Sequence, residues 1–130
     1  MKLEREMMRG AGPTAVMQLL VDKEMYGYEL IETLSEKSKG IFQLGQSTLY
    51  PMLYNLEAKG LVASKEKKGE NGRNRRYYRL TAKGKKKLAA DCKQWASLVE
   101  DMGALGITRG RALDGRQNGP GKLGVGGATA

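Results

Sequence analysis

A mainly α-helical fold with one small β-hairpin is what this chain predicts, on three observations. Apolar residues recur at helical spacing through successive stretches of the chain. Two short strand-like runs, at 61–67 and 75–80, flank the turn cluster KKGENGRNRR, with its two glycines and two asparagines. The positive charge is gathered in one place. Residues 59–87 hold twelve Lys/Arg against Glu66 and Glu70, a net of +10, while residues 1–58 sum to −2 and residues 88–130 to +1. A patch of that density is the usual footprint of a polyanion partner; a solvated lysine face is the plainer alternative.

Taken in order, residues 2–9 carry Leu3, Met7 and Met8 on one side of a short helix, which Gly10 and Gly12 interrupt. Pro13 suits a first helical position, where its missing N–H costs nothing, and a helix is expected from Pro13 to Lys23 on the spacing of Val16, Leu19, Leu20 and Lys23. A second helix starts near Tyr28, buries Leu30, Ile31 and Leu34, and stops at Gly40. Tyr26 and Tyr28 bracket Gly27, and both rings are expected to pack at the joint between the two helices.

The stretch Gln46–Leu80 organises the rest. Gln46 or Ser47 is expected to cap a helix whose inward stripe is Leu49, Met52, Leu53 and Leu56. Its other face carries Ser47, Tyr50, Pro51, Tyr54 and Ala58. Two tyrosines and a serine are unusual on a face where a soluble surface prefers charge. Hydroxyl-bearing side chains on a helix suit the major groove of DNA, where they reach phosphates and base edges. Packing of Tyr50 or Tyr54 against the rest of the protein is the competing explanation.

Lys59-Gly60 ends that helix and the hairpin follows. Adjacent Tyr77 and Tyr78 must point to opposite faces of a strand. Lys67, Lys68, Arg73, Arg75 and Arg76 crowd its tip, which could lie along a phosphate backbone and release counterions there. The expected DNA-contacting set is therefore Gln46, Ser47, Thr48, Tyr50 and Tyr54 from the helix, with Lys67, Lys68, Arg73, Arg75 and Arg76 from the hairpin.

Thr81 caps the last helix. Leu88, Cys92, Trp95, Val99 and Met102 follow at spacings of 4, 3, 4 and 3, an a/d seam of about two heptads. Such a seam suits a dimer contact backed by a domain; packing back on its own domain is the alternative. From Gly103 the composition shifts, with nine glycines in the last 28 residues, and a disordered tail is expected there. The chain thus divides into a DNA-binding winged helix-turn-helix at 1–80, a dimerisation helix at 81–102 and a tail at 103–130.

Other classes of function find little support. The sequence has one cysteine, Cys92, and no histidine, so an internal disulfide is impossible and the commonest general base and a principal metal ligand are missing. No catalytic constellation, metal site or cofactor is expected. The segment MKLEREMMRG is too charged for a signal peptide, no apolar run approaches a membrane span, and a cytoplasmic location is expected.

The order helix, helix, helix, strand, basic wing, strand, long helix resembles the PadR family of winged-helix transcriptional regulators. The resemblance is carried by Tyr26-Gly27-Tyr28-Glu29-Leu30, by Ser47-Thr48-Leu49-Tyr50-Pro51 with Leu53, Leu56, Glu57 and Gly60, and by Arg75-Arg76-Tyr77-Tyr78-Arg79-Leu80-Thr81 with Gly84. It spans about residues 10–102, and the three motifs in this order are far more specific than any one of them. It implies a homodimer on a palindromic operator in double-stranded DNA, usually as a repressor, with C-terminal helices forming the interface. The single last helix is similar to the short-chain subgroup, some of whose members bind flat aromatic compounds using a tryptophan placed like Trp95, so a small aromatic effector there is implied as an option. A winged-helix protein-interaction module without specific DNA binding is the other class of reading.

Overall fold

The computed structural model describes residues 1–108. The elements are α1 (Arg5–Leu19), β1 (Met25–Tyr26), α2 (Gly27–Lys37), α3 (Gln46–Ala58), β2 (Val62–Lys68), β3 (Asn74–Leu80) and α4 (Ala82–Ala104). They form two compact units, the first ending at Asp91, past the boundary at residue 80 read from the sequence, and the second beginning at Cys92.

In the first unit the leucine stripes of the helices meet over one face of the sheet. Val16 and Met17 of α1, Leu30 of α2, Leu49 and Leu53 of α3 and Val62 and Tyr78 of the sheet are almost wholly buried. Each buried aliphatic side chain of this kind contributes about 1.5–3 kcal/mol over its exposed state. No charged or polar residue is buried among the described residues, so the core between these helices and the sheet is apolar.

The N-terminal helix differs from expectation. α1 runs unbroken through Gly10, Gly12 and Pro13 and ends at Leu19. Gly12 belongs to a close contact: a Cβ there would lie 2.7 Å from Met52 Cε of α3. Pro13 sits inside the helix, so Arg9 loses one carbonyl bond; the packing of Val16 and Met17 outweighs that loss. The helix α3 also starts differently. Gly45 is its N-cap and no side chain bonds there, so neither Gln46 nor Ser47 serves as a cap. Pro51 lies inside α3, past its first turn, so the helix forgoes the bond to the Ser47 carbonyl.

The sheet has three antiparallel strands in the order β1-β3-β2, one more than the sequence suggested. Val62 faces Leu80 and Lys68 faces Asn74 along the hairpin, while Met25 and Tyr26 add to the far edge of β3 opposite Tyr78 and Tyr77. Tyr78 is buried on the helix side and Tyr77 lies half-buried on the other, as strand alternation requires.

Thr81 caps α4 as expected: its Oγ1 accepts from the Gly84 N–H at 2.9 Å. The same hydroxyl donates toward the carbonyls of Gly60 (2.7 Å) and Leu61 (3.0 Å). Gly84 lies so close to β2 that a Cβ would sit 2.0 Å from the Leu61 carbonyl oxygen. Leu88 is buried in the core of the first unit. Of the expected seam it is therefore the one member already covered by its own domain. Asp91 accepts from Thr14 of α1 at 3.4 Å and pairs with Lys87 at 2.8 Å.

In the second unit α4 continues to Ala104, and the Ile107 N–H bonds back to the Met102 carbonyl at 2.9 Å. The expected tail begins inside this helix end and turn; from residue 109 onward it lies outside the described residues.

Candidate nucleic-acid interface

The exposed face of α3 and the hairpin meet at a groove of about 540 Å³. It is lined by Tyr26, Gly27 and Tyr28 where β1 passes into α2, by Tyr50 of α3, and by Arg73, Asn74, Arg75 and Arg76 of the wing.

On α3, Gln46, Ser47, Thr48 and Tyr54 are exposed, Tyr54 to 60%. Tyr50 is half-buried, with its ring 6.3 Å from that of Tyr54. Its hydroxyl passes directly over Gly27, where a Cβ would lie only 2.2 Å away. The competing explanation for Tyr50 is thus right in part: one edge packs on α2 and the other lines the groove. Gly27 is what lets α3 approach α2 so closely.

The wing's cations divide between the two faces of the hairpin, as the strand register dictates. On the helix side Arg76 Nη1 donates to Ser64 Oγ at 2.9 Å, and Ser64 Oγ donates to Glu57 Oε2 of α3 at 2.7 Å. This chain ties the base of the wing to α3. Arg76 also lies 4.0 Å from Glu66, an exposed pair of little energetic weight. On the other face Lys67 is paired with Glu24 and stands 4.6 Å from the centroid of Tyr77. Arg75 lies over the ring of Tyr26 at 4.1 Å. Lys68 and Arg73 are exposed near the turn, whose shape is set partly by the Arg73 N–H donating to Asn71 Oδ1 at 3.2 Å.

Of the ten residues expected at DNA, the groove itself brings together Tyr50, Arg73, Arg75 and Arg76. Gln46, Ser47, Thr48 and Tyr54 occupy the exposed surface of α3 outside it, and Lys67 and Lys68 do not line it. Sequence reasoning missed Tyr26, Gly27, Tyr28 and Asn74. Tyr28 is 55% exposed, so it does not pack at a helix joint as expected. A hydrogen bond to Glu32, one turn on, holds its hydroxyl proton above the ordinary tyrosine range. The signal that could have found Tyr26, Gly27 and Tyr28 is the glycine between two tyrosines at a helix start, which permits close approach by another element. Burial also raises the Tyr78 phenol, helped by the nearby Tyr54 and Glu57 and opposed by Arg76.

In the second unit Cys92 is exposed and Trp95 and Met102 are half-buried. Val99 is 53% exposed, and Leu98 beside it is 45% exposed.

Three helices, a small antiparallel sheet and a basic hairpin beside an exposed helix face define a winged helix-turn-helix regulator. The model of the transcriptional regulator PadR-like family matches residues 16–90, and the chain belongs to that family. The family is one of transcriptional regulators, not of enzymes. A transcriptional regulator of Mycobacterium tuberculosis is 34% identical over 98 residues, covering 75% of this chain and 88% of that protein. Among solved structures, a PadR family regulator from Eggerthella lenta superposes with a TM-score of 0.68 at 33% identity, covering 80% of this chain and 88% of its own. A transcriptional regulator from Clostridium thermocellum gives 0.69 at 28% identity, covering 76% and 96%. Among the described residues no helix is long and apolar enough to cross a membrane, and no cluster of His, Cys, Asp or Glu is placed to hold a metal ion.

Proposed function

We propose that this PadR-like regulator is a cytoplasmic repressor that binds a palindromic operator in double-stranded DNA as a homodimer. The observation that carries this reading is the junction of α3 and the wing. An uncharged, hydroxyl-bearing helix surface stands next to a groove lined by Arg73, Arg75 and Arg76. In this reading Ser47, Thr48 and Tyr54 enter the major groove and read base edges, while the wing's arginines grip the adjacent phosphates. The N-terminal end of α3 favours negative charge as well. Half-sites about one helical turn apart follow from a two-fold axis.

Dimerisation is supported by the outer half of α4. Leu98 and Val99 leave an apolar strip in water, continued by Leu105 at 77% exposure. A strip of this kind is stabilised by covering it with a second copy. Trp95, Val99 and Met102 are the proposed contacts, with Cys92 at the edge. A flat aromatic effector beside Trp95 would release the operator by shifting the dimer between two geometries.

Selection of bound duplexes from a random pool tests the reading directly. A single palindromic consensus is expected; a pool that never enriches would point to a protein-docking module instead. Sedimentation of the full chain should give a dimer, and Val99→Asp should give monomers with operator affinity lowered about a hundredfold, since one half-site alone remains. Titration of Trp95 fluorescence with flat aromatic compounds should quench it only if the effector site exists.

A further inference from the structure

The wing's cations are not equivalent. Arg73 and Arg76 are exposed, but Arg75 is half-buried, with its guanidinium over the face of Tyr26 at 4.1 Å. Tyr26 is held in turn. Its ring meets that of its cross-strand partner Tyr77 edge-on, centroids 5.5 Å apart at 71°. Behind Tyr77 stands Lys67, at 4.6 Å from the ring and paired with Glu24. Five side chains from β1, its flank and both wing strands thus form one chain of contacts, and Arg75 is its end, lining the groove.

Guanidinium chemistry gives this arrangement a purpose. A planar guanidinium stacked on a ring uses its π face, while its N–H donors all lie in the plane and stay available. A free arginine must lose rotamer freedom when it grips a phosphate; one already ordered on a ring loses less. An ammonium already facing a carboxylate stands differently: Glu24 meets part of the Lys67 charge, so a phosphate adds less there than at an unpaired cation.

On the DNA-binding reading above, we propose that Tyr26 is a positioning residue. It holds the Arg75 guanidinium edge-on for a backbone phosphate of duplex DNA, and Lys67 with Glu24 braces the two rings without touching DNA.

The test is anisotropy of a fluorescein-labelled duplex of arbitrary sequence, titrated with the full-length protein across a series of KCl concentrations. Arg75→Ala should weaken binding about tenfold and lower the salt slope by about one per subunit. Tyr26→Leu keeps apolar bulk but has no ring face; it should weaken binding about fivefold with little change in slope, because every cation is still present. Tyr26→Phe should bind as the parent does. Tyr26→Leu with Arg75→Ala should lose no more than Arg75→Ala alone, and Lys67→Ala should leave the slope unchanged. Additive losses in the double variant, equal behaviour of the Phe and Leu variants, or a slope lowered by Lys67→Ala would each overturn the assignment while the parent still binds. A parent chain that binds no duplex would instead overturn the DNA reading itself, and this proposal with it. Thermal unfolding of each variant separates loss of binding from loss of fold.

Discussion

The two ends of α3 are built on opposite principles. Its C-terminal end is locked. The Leu61 N–H bonds back to the Leu56 carbonyl at 2.9 Å, and Thr81 holds the carbonyls of Gly60 and Leu61. Lys83 Nζ donates to the carbonyl of Lys59 at 2.9 Å, placing a cation where the helix dipole is negative. The N-terminal end has no side-chain cap, and Gln46, Ser47 and Thr48 project into solvent. A reading helix needs both conditions. Orientation must be fixed by contacts that a ligand does not disturb, and the face that meets the ligand must keep its donors and acceptors unspent. The lock is made by the first turn of α4, so the helix proposed to dimerise is joined directly to the helix proposed to read.

Breaking the locked end should have the largest effect. Gly84→Ala places a Cβ 2.0 Å from a backbone oxygen that cannot rotate away, so the first turn of α4 must lift from β2. A loss of about 3 kcal/mol, at the upper end for overpacking, is expected in urea unfolding. A loss below about 1 kcal/mol would mean that α4 slides freely and that the lock is not rigid. Thr81→Ala should cost less, about 1–2 kcal/mol, because it removes a helix cap and a tie to two carbonyls without introducing a clash. Thr81→Ser should recover most of that loss.

A third effect reports on the packing beneath the open face. Tyr78 lies under α3 with its phenol pKa raised, chiefly by burial. The folded state holds that proton more tightly than the unfolded chain does. Its contribution to stability is therefore fully present below pH ~10 and is lost as pH rises through the folded value. Urea midpoints should fall above that pH in the parent, and the fall should be shallower in Tyr78→Phe. Identical pH profiles would place the phenol in contact with water, and the core under α3 would then be looser than described.

How far all this was legible in the sequence depends on the range of the interaction. The stripes of α2 and α3, the hairpin and the Thr81 cap are local patterns, and they were readable because period, turn chemistry and cap lie within a few residues of one another. Unbroken α1 was not readable: Gly12 looks like a helix breaker until Met52, forty residues on, is seen against it. The strand β1 is two residues long, too short to show alternation, and exists only because β3 offers an edge. The site follows the same rule. The sequence identified the exposed hydroxyls of α3 and the cationic tip, but not the Tyr26 platform or the approach of Tyr50 to Gly27, which depend on contacts between distant segments. It also could not distinguish Lys67, which pairs with Glu24, from Arg75, which lies over the ring of Tyr26.

The smallest effect on stability should fall at the open end, and there the contrast is sharpest. Ser47 is exposed and bonds to no cap position, so Ser47→Ala should change unfolding free energy by less than about 0.5 kcal/mol. If the open end reads DNA, the same change should lower affinity for the selected operator by roughly tenfold, the loss of about one base-edge hydrogen bond, and leave affinity for random duplex nearly as it was. Equal losses on both DNAs would make Ser47 a phosphate contact and shift the reading function toward Thr48 and Tyr54. No loss on either, with the fold intact, would mean that the open end faces water for some other reason, and the division of labour along α3 would then fail.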